Sequence, residues 1–135
     1  MNEKKNTGIL KIVVLIYAIV CLVYGLGYMF VSDYIVKLSG SAPVFQGWLR
    51  WSGGTLVSLA IGAYMVYRKP DGQGIFVTTI ALASTLCSLA LFCAWATRPE
   101  ETKVWFVALP AIITLIISVL LWWGRQNARD TLYPK

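Results

Sequence analysis

Histidine is absent from the sequence, and acidic residues are few: Glu3, Asp33, Asp71, Glu100, Glu101 and Asp130. None of the six lies inside a long apolar stretch. Ion-coupled transport and proton relays normally need an ionisable group within the membrane, so this distribution speaks against both. Cysteine is also scarce. Cys21, Cys87 and Cys93 include no Cys-x-x-Cys pair, and without histidine there is neither a thiol-redox nor a zinc pattern. The three read as small apolar side chains. No catalytic residue, metal ligand set or cofactor is therefore expected.

What the chain has in excess is apolar sequence. Of its 135 residues 58% are hydrophobic and only 13% charged, far from the balance of a water-soluble domain. The apolar residues fall in four blocks, residues 9–31, 47–67, 74–96 and 104–123. Each is about as long as the ~20 residues a helix needs to cross a bilayer. Lipid offers no partner to an unpaired amide, so each block should be helical. The expectation is an all-α membrane protein, a single domain over residues 1–135. It would be an antiparallel bundle of four transmembrane helices, at about 9–31, 47–67, 74–96 and 98–123.

The net charge of +6 does not gather into a face suited to nucleic acid. It gathers at helix ends. Lys4, Lys5, Lys11, Arg68, Lys69, Arg125, Arg129 and Lys135 fall on one side of the proposed membrane, and Lys37, Arg50, Arg98 and Lys103 on the other. That excess puts both termini and the turn at 68–74 in the cytoplasm. The tryptophans agree: Trp48, Trp51, Trp95 and Trp105 mark the outer interface, Trp122 and Trp123 the inner one. The first block is too long for a signal peptide and lacks a small-x-small cleavage site, so it reads as a retained span of a multi-pass plasma-membrane protein.

Along the first span Tyr17, Cys21, Tyr24 and Tyr28 recur at four, three and four, a single helix face. A hydroxyl in hydrocarbon is costly, so this face should point into the bundle. Ser32 is placed to cap a short surface segment, SDYIVKL, ending at Ser39-Gly40. In the second span Gly47, Gly54, Ser58 and Gly62 share an arc, which would make it the tightest helix contact. Pro70-Asp71-Gly72 forces a reversal, and the second and third spans should then be antiparallel neighbours. The third is two-faced, with Thr78, Ala81, Ser84, Thr85 and Ser88 turned to protein and Ile75, Leu82, Leu86 and Leu89 to lipid. Thr97-Arg98-Pro99-Glu100 matches a capping box that would start the fourth span, and Pro110 should bend it.

The outer ends bring together Asp33, Lys37, Arg50, Arg98, Glu100 and Glu101 inside a rim of tryptophans. One reading makes Arg50 a fork for a carboxylate or phosphate headgroup, with Trp48 and Trp51 walling the ligand and Asp33 and Glu100 beside it. The plainer reading has Arg50 reaching lipid phosphate or pairing with Asp33 or Glu100, the tryptophans serving as anchors.

Arg50-Trp-Ser-Gly53-Gly54 at the start of the second span, Gly62 beyond it, and the Arg68-Lys-Pro-Asp-Gly turn together resemble the DoxX-like group of small four-helix bacterial membrane proteins. The resemblance covers most of the chain. It implies an antiparallel four-helix bundle but no agreed activity, since members are associated with oxidoreductase complexes and with assembly roles. Only Arg50, Gly53 and Gly54 carry over. The functional expectation is a binding or accessory membrane protein without catalysis of its own, holding a lipid-like or amphipathic ligand near Arg50. Membrane lipid, a second copy or a larger membrane protein are the expected partners. The alternatives are a small oligomeric transporter or channel built on the hydroxyl face of the third span, and a lipid-modifying enzyme relying on Asp33 or Glu100.

Overall fold

The computed structural model describes residues 7–42 and 45–134. Among these the chain is all-helical: α1 (Thr7–Phe30), α2 (Ser32–Ser39), α3 (Gly47–Arg68), α4 (Gly74–Ala96), α5 (Val104–Asn127) and the single turn α6 (Arg129–Leu132). Three helices, α1, α4 and α5, are long and apolar enough to cross a membrane. This makes the chain a membrane protein by length and composition. The fourth long helix, α3, is diluted by glycine, serine, threonine and Arg50.

Two helix pairs organise the molecule, α1 with α3 and α4 with α5, joined mainly through α1 against α5. In the first pair Gly25 meets Gly53. A Cβ on Gly25 would fall 2.9 Å from the Gly53 carbonyl oxygen, and one on Gly53 would fall 2.7 Å from that of Gly25. Neither position has room for a side chain, and the two backbones touch. In the second pair the hydroxyl face of α4 bonds to α5. Thr85 and Ser118 lie 2.7 Å apart, the Trp122 indole donates to Thr85 at 3.1 Å, and Ser88 donates to the Ala111 carbonyl at 3.4 Å. Ile75, Leu82, Leu86 and Leu89 point outward, as the two-faced pattern of this helix requires.

Four expectations need correction. The close seam is not Gly47, Gly54, Ser58 and Gly62. Gly54 faces open space, Ser58 is exposed with its hydroxyl turned back onto the Gly54 carbonyl at 3.0 Å, Gly47 lies under the Phe45 ring and Gly62 under Phe76. The buried stripe of α3 is Leu49, Gly53, Ala60, Ala63 and Val66, which at about 100° per residue lies on nearly the opposite face of the helix. Nor are α3 and α4 close neighbours, although a tight turn joins them. The Phe76 ring sits against Gly62 near the turn, and beyond it the two helices scarcely meet. Finally, Thr97 does not cap the last long helix. It ends α4, its hydroxyl donating back to the Cys93 carbonyl at 2.9 Å, and α5 begins only at Val104. The intervening loop is pinned to the end of α2 instead, the Lys103 amide donating to the Ser39 carbonyl at 2.9 Å and Thr102 lying 3.1 Å from the Ser41 hydroxyl. The surface helix α2 does form, closed by Gly40 in the left-handed region (φ 79°), but the Ser32 side chain does not cap it.

The packed core sits at one end. Leu10, Val14, Val66, Val77, Ile80 and Leu121 are almost fully buried where α1 and α4 begin and α3 and α5 finish. The C-terminal segment closes this end, with Leu132 buried and the Gly72 amide donating to the Thr131 carbonyl at 3.1 Å. Toward the α2 end the packing opens.

Candidate functional site

The opening is a cavity of about 330 Å³ between the two helix pairs, within the range of small-molecule sites. Its lining runs from Tyr17 to Tyr28 on α1, from Ala83 to Ala94 on α4 and from Phe106 to Ile117 on α5. Each run covers twelve residues, eleven steps along its helix, so at the helical rise of about 1.5 Å the slot is roughly 16 Å long and parallel to the helices. From α3 only Leu56 and Leu59 contribute. That thin wall follows from the sparse contact between α3 and α4.

The chemistry of the wall is mostly aliphatic and aromatic, with a few convergent polar groups: the phenols of Tyr17, Tyr24 and Tyr28, the thiols of Cys21 and Cys87, and the hydroxyls of Ser84 and Thr114. Among the described lining residues none is charged. Two of the hydroxyls are already committed. Ser84 donates to the Ile80 carbonyl at 2.8 Å, and Thr114 to the Pro110 carbonyl, also at 2.8 Å. Below Tyr17 and Ile117 the Thr85–Ser118–Trp122 cluster and the packed core form a floor.

Pro110 shapes the other side. It lies inside α5 and cannot donate to the Phe106 carbonyl, which frees the helix to bend where both cavities border it. The second cavity, about 270 Å³, lies between α1, α2 and α5 and is lined by Val23, Ile35, Trp105 and Leu109 among others. The two share Tyr24, Tyr28, Phe106 and Pro110 as a common wall. Tyr24 and Tyr28 meet edge to face, with ring centroids 5.9 Å apart at 72°.

Of the residues singled out in the sequence, Arg50, Trp48, Trp51, Asp33 and Glu100 line neither cavity. All five are exposed. Arg50 reaches Ser32, its Nε donating to the hydroxyl at 3.4 Å, which ties α3 to the start of α2 beside Asp33. Its partner is thus a hydroxyl rather than a carboxylate. The tyrosine face of α1 is brought into the cavity, as its spacing required. Sequence reasoning missed Phe106, Val107, Ile113 and Ile117; the only signal for them was Pro110, which was read as a bend without a cavity attached. No family model matches this sequence, and neither a curated protein nor a solved structure is significantly similar to it.

Proposed function

We propose that the chain is a four-span membrane protein with both termini cytoplasmic, and that it binds a lipid-like ligand inside the slot without acting on it chemically. The cavity carries the functional half of this reading: it is elongated, largely apolar, without a charged residue among its described lining, and partly open.

The topological half rests on contacts at the packed end. Leu10 of α1 touches Gly124 of α5, and Thr78 of α4 binds Arg125 of α5. Helices α1 and α4 therefore start at the same end. If both cross the bilayer in the same sense, α3 must bring the chain back across between them, despite its weaker apolar character. The excess of lysine and arginine near that end supports a cytoplasmic assignment.

A transporter or channel along the hydroxyl face of α4 finds less support. The hydroxyls of Ser84, Thr85 and Ser88 are used in bonds within α4 or to α5, so they bind helices together and leave no hydroxyl-lined path.

The test is lipid retention. The full chain, purified in mild detergent, is extracted and the bound lipid quantified by mass spectrometry against Cys87→Trp and Leu59→Trp, each of which fills the slot from a different helix. The reading expects a near-stoichiometric species that both variants lose while keeping their helical circular dichroism. Equal retention by folded variants sinks it.

A further inference from the structure

Resting on the binding reading just proposed, we infer that the ligand presents an uncharged hydrogen-bond acceptor, the carbonyl of an acyl ester, to the phenols of Tyr24 and Tyr28. These two residues lie about one turn apart on α1 and line both cavities, so they stand where the slot and the second cavity adjoin. Tyr17, about two turns deeper, lines the slot alone and is buried. Serine and threonine hydroxyls can fold back onto the carbonyl four residues before them, and in the slot wall Ser84 and Thr114 do so. A tyrosine hydroxyl stands a ring's length from its own backbone and has no such recourse. It needs an acceptor from elsewhere, and in apolar surroundings an unpaired one is costly.

Neither phenol of the pair has found that acceptor within the protein. Among the described residues the tyrosine hydroxyls engaged in hydrogen bonds are those of Tyr64 and Tyr133. The fully buried side-chain atoms left without a partner are Gln46 Oε1 and Arg98 Nε, so the oxygens of Tyr24 and Tyr28 are unpaired yet accessible. Their rings meet edge to face, which holds the two donors side by side without using either hydroxyl. The other free polar groups of the slot, the thiols of Cys21 and Cys87, are weak donors. What the described lining of both cavities lacks is charge. A carboxylate or phosphate taken against such a wall loses more on leaving water than neutral phenols return. An ester carbonyl loses far less, and as an acceptor it complements a phenol donor.

A neutral acylglycerol and a phospholipid both carry an acyl ester, and the experiment separates them. Full-length protein in a polyether detergent is titrated with 1-palmitoylglycerol and with palmitoyl lysophosphatidylcholine, each beside its ether counterpart, in which the acyl carbonyl is missing. Palmitate is the charged control, and occupancy is read by native mass spectrometry. At least one ester should bind about tenfold more tightly than its ether and than palmitate, and the ester that does so identifies the carrier. In a variant with both Tyr24→Phe and Tyr28→Phe, which keeps the two rings, that ester should fall to the level of its ether, whose own binding should not change. If neither ester exceeds its ether, or if the preference persists in the double variant, the assignment of the phenols falls. Palmitate binding as tightly as the preferred ester overturns the uncharged acceptor. In each of these cases loss of all binding in Cys87→Trp preserves the cavity reading. Binding that survives Cys87→Trp and Leu59→Trp overturns both.

Discussion

Gly25 and Gly53 face each other across α1 and α3 so closely that a Cβ on either would press on the other's carbonyl oxygen. This contact holds α1 and α3 together as the first helix pair, and α1 against α5 joins that pair to the second. Gly53→Ala should therefore cost about 1–3 kcal/mol through overpacking. Gly54→Ala, one position on, meets nothing within 4 Å and should gain about 0.5–1 kcal/mol from helix propensity. Unfolding in mixed micelles measures both. Equal effects at the two positions would refute the observed rotation of α3.

At the packed end, Arg125 lies between the Trp122 and Tyr133 rings, 5.5 Å from each centroid, and its Nε donates to the Thr78 hydroxyl at 2.7 Å. The Tyr133 hydroxyl donates to the Gly74 carbonyl at 2.9 Å and lies 2.8 Å from that of Thr78. The Thr78 hydroxyl, with the Arg125 guanidinium behind it, holds the Tyr133 phenol below its ordinary value; the Gly74 carbonyl, which takes the phenol proton, acts the other way. A lowered phenol value means that the unfolded chain binds the proton more tightly. The stabilisation from ionised Tyr133 is therefore fully present above about pH 10 and is lost as pH falls through the folded value. The stability difference between wild type and Tyr133→Phe should grow as pH rises toward about 10, and Thr78→Val should flatten that rise. A pH-independent difference would show that the phenol does not ionise in this contact.

The features legible in the sequence are those set by local pattern. Tyr17, Cys21, Tyr24 and Tyr28 had to share a face, and the outward leucines of α4 follow from its period. The seam of α3 was not legible, because Ser52, Gly53, Gly54 and Ser58 offer small residues on adjacent arcs and periodicity alone does not choose between them. The start of α5 was misread because Thr97 has two uses for its hydroxyl, and bonding back into α4 wins. The cavity was least accessible of all. A void depends on which helices fail to meet, here α3 and α4, and no residue of either encodes that failure by itself.

The four-span topology makes a direct prediction for labelling. With Cys21, Cys87 and Cys93 replaced by serine or alanine, single cysteines are introduced as Lys37→Cys in α2 and Asp71→Cys in the α3–α4 turn, both exposed positions. A membrane-impermeant maleimide applied to intact cells should modify Lys37→Cys and leave Asp71→Cys untouched until the membrane is permeabilised. Labelling of both from outside would mean that α3 lies along the surface, and the three apolar helices would then be the only spans.

Arg50 offers the sharpest choice between the two places a ligand could sit. If the headgroup were held at the outer rim, Arg50→Gln would release it, because a neutral amide cannot replace the paired donors of a guanidinium. The structure gives Arg50 a different task. It is exposed, lines neither cavity, and contributes one long hydrogen bond to Ser32, a residue buried at the start of α2. Exposed polar contacts of this kind contribute little, so Arg50→Gln should shift stability by about 0.5 kcal/mol or less and leave lipid retention at the wild-type level. The same measurement on Cys87→Trp, which fills the slot, should show the loss. The reverse pattern, retention lost with Arg50→Gln and kept with Cys87→Trp, would move the ligand from the slot to the rim formed by Trp48 and Trp51.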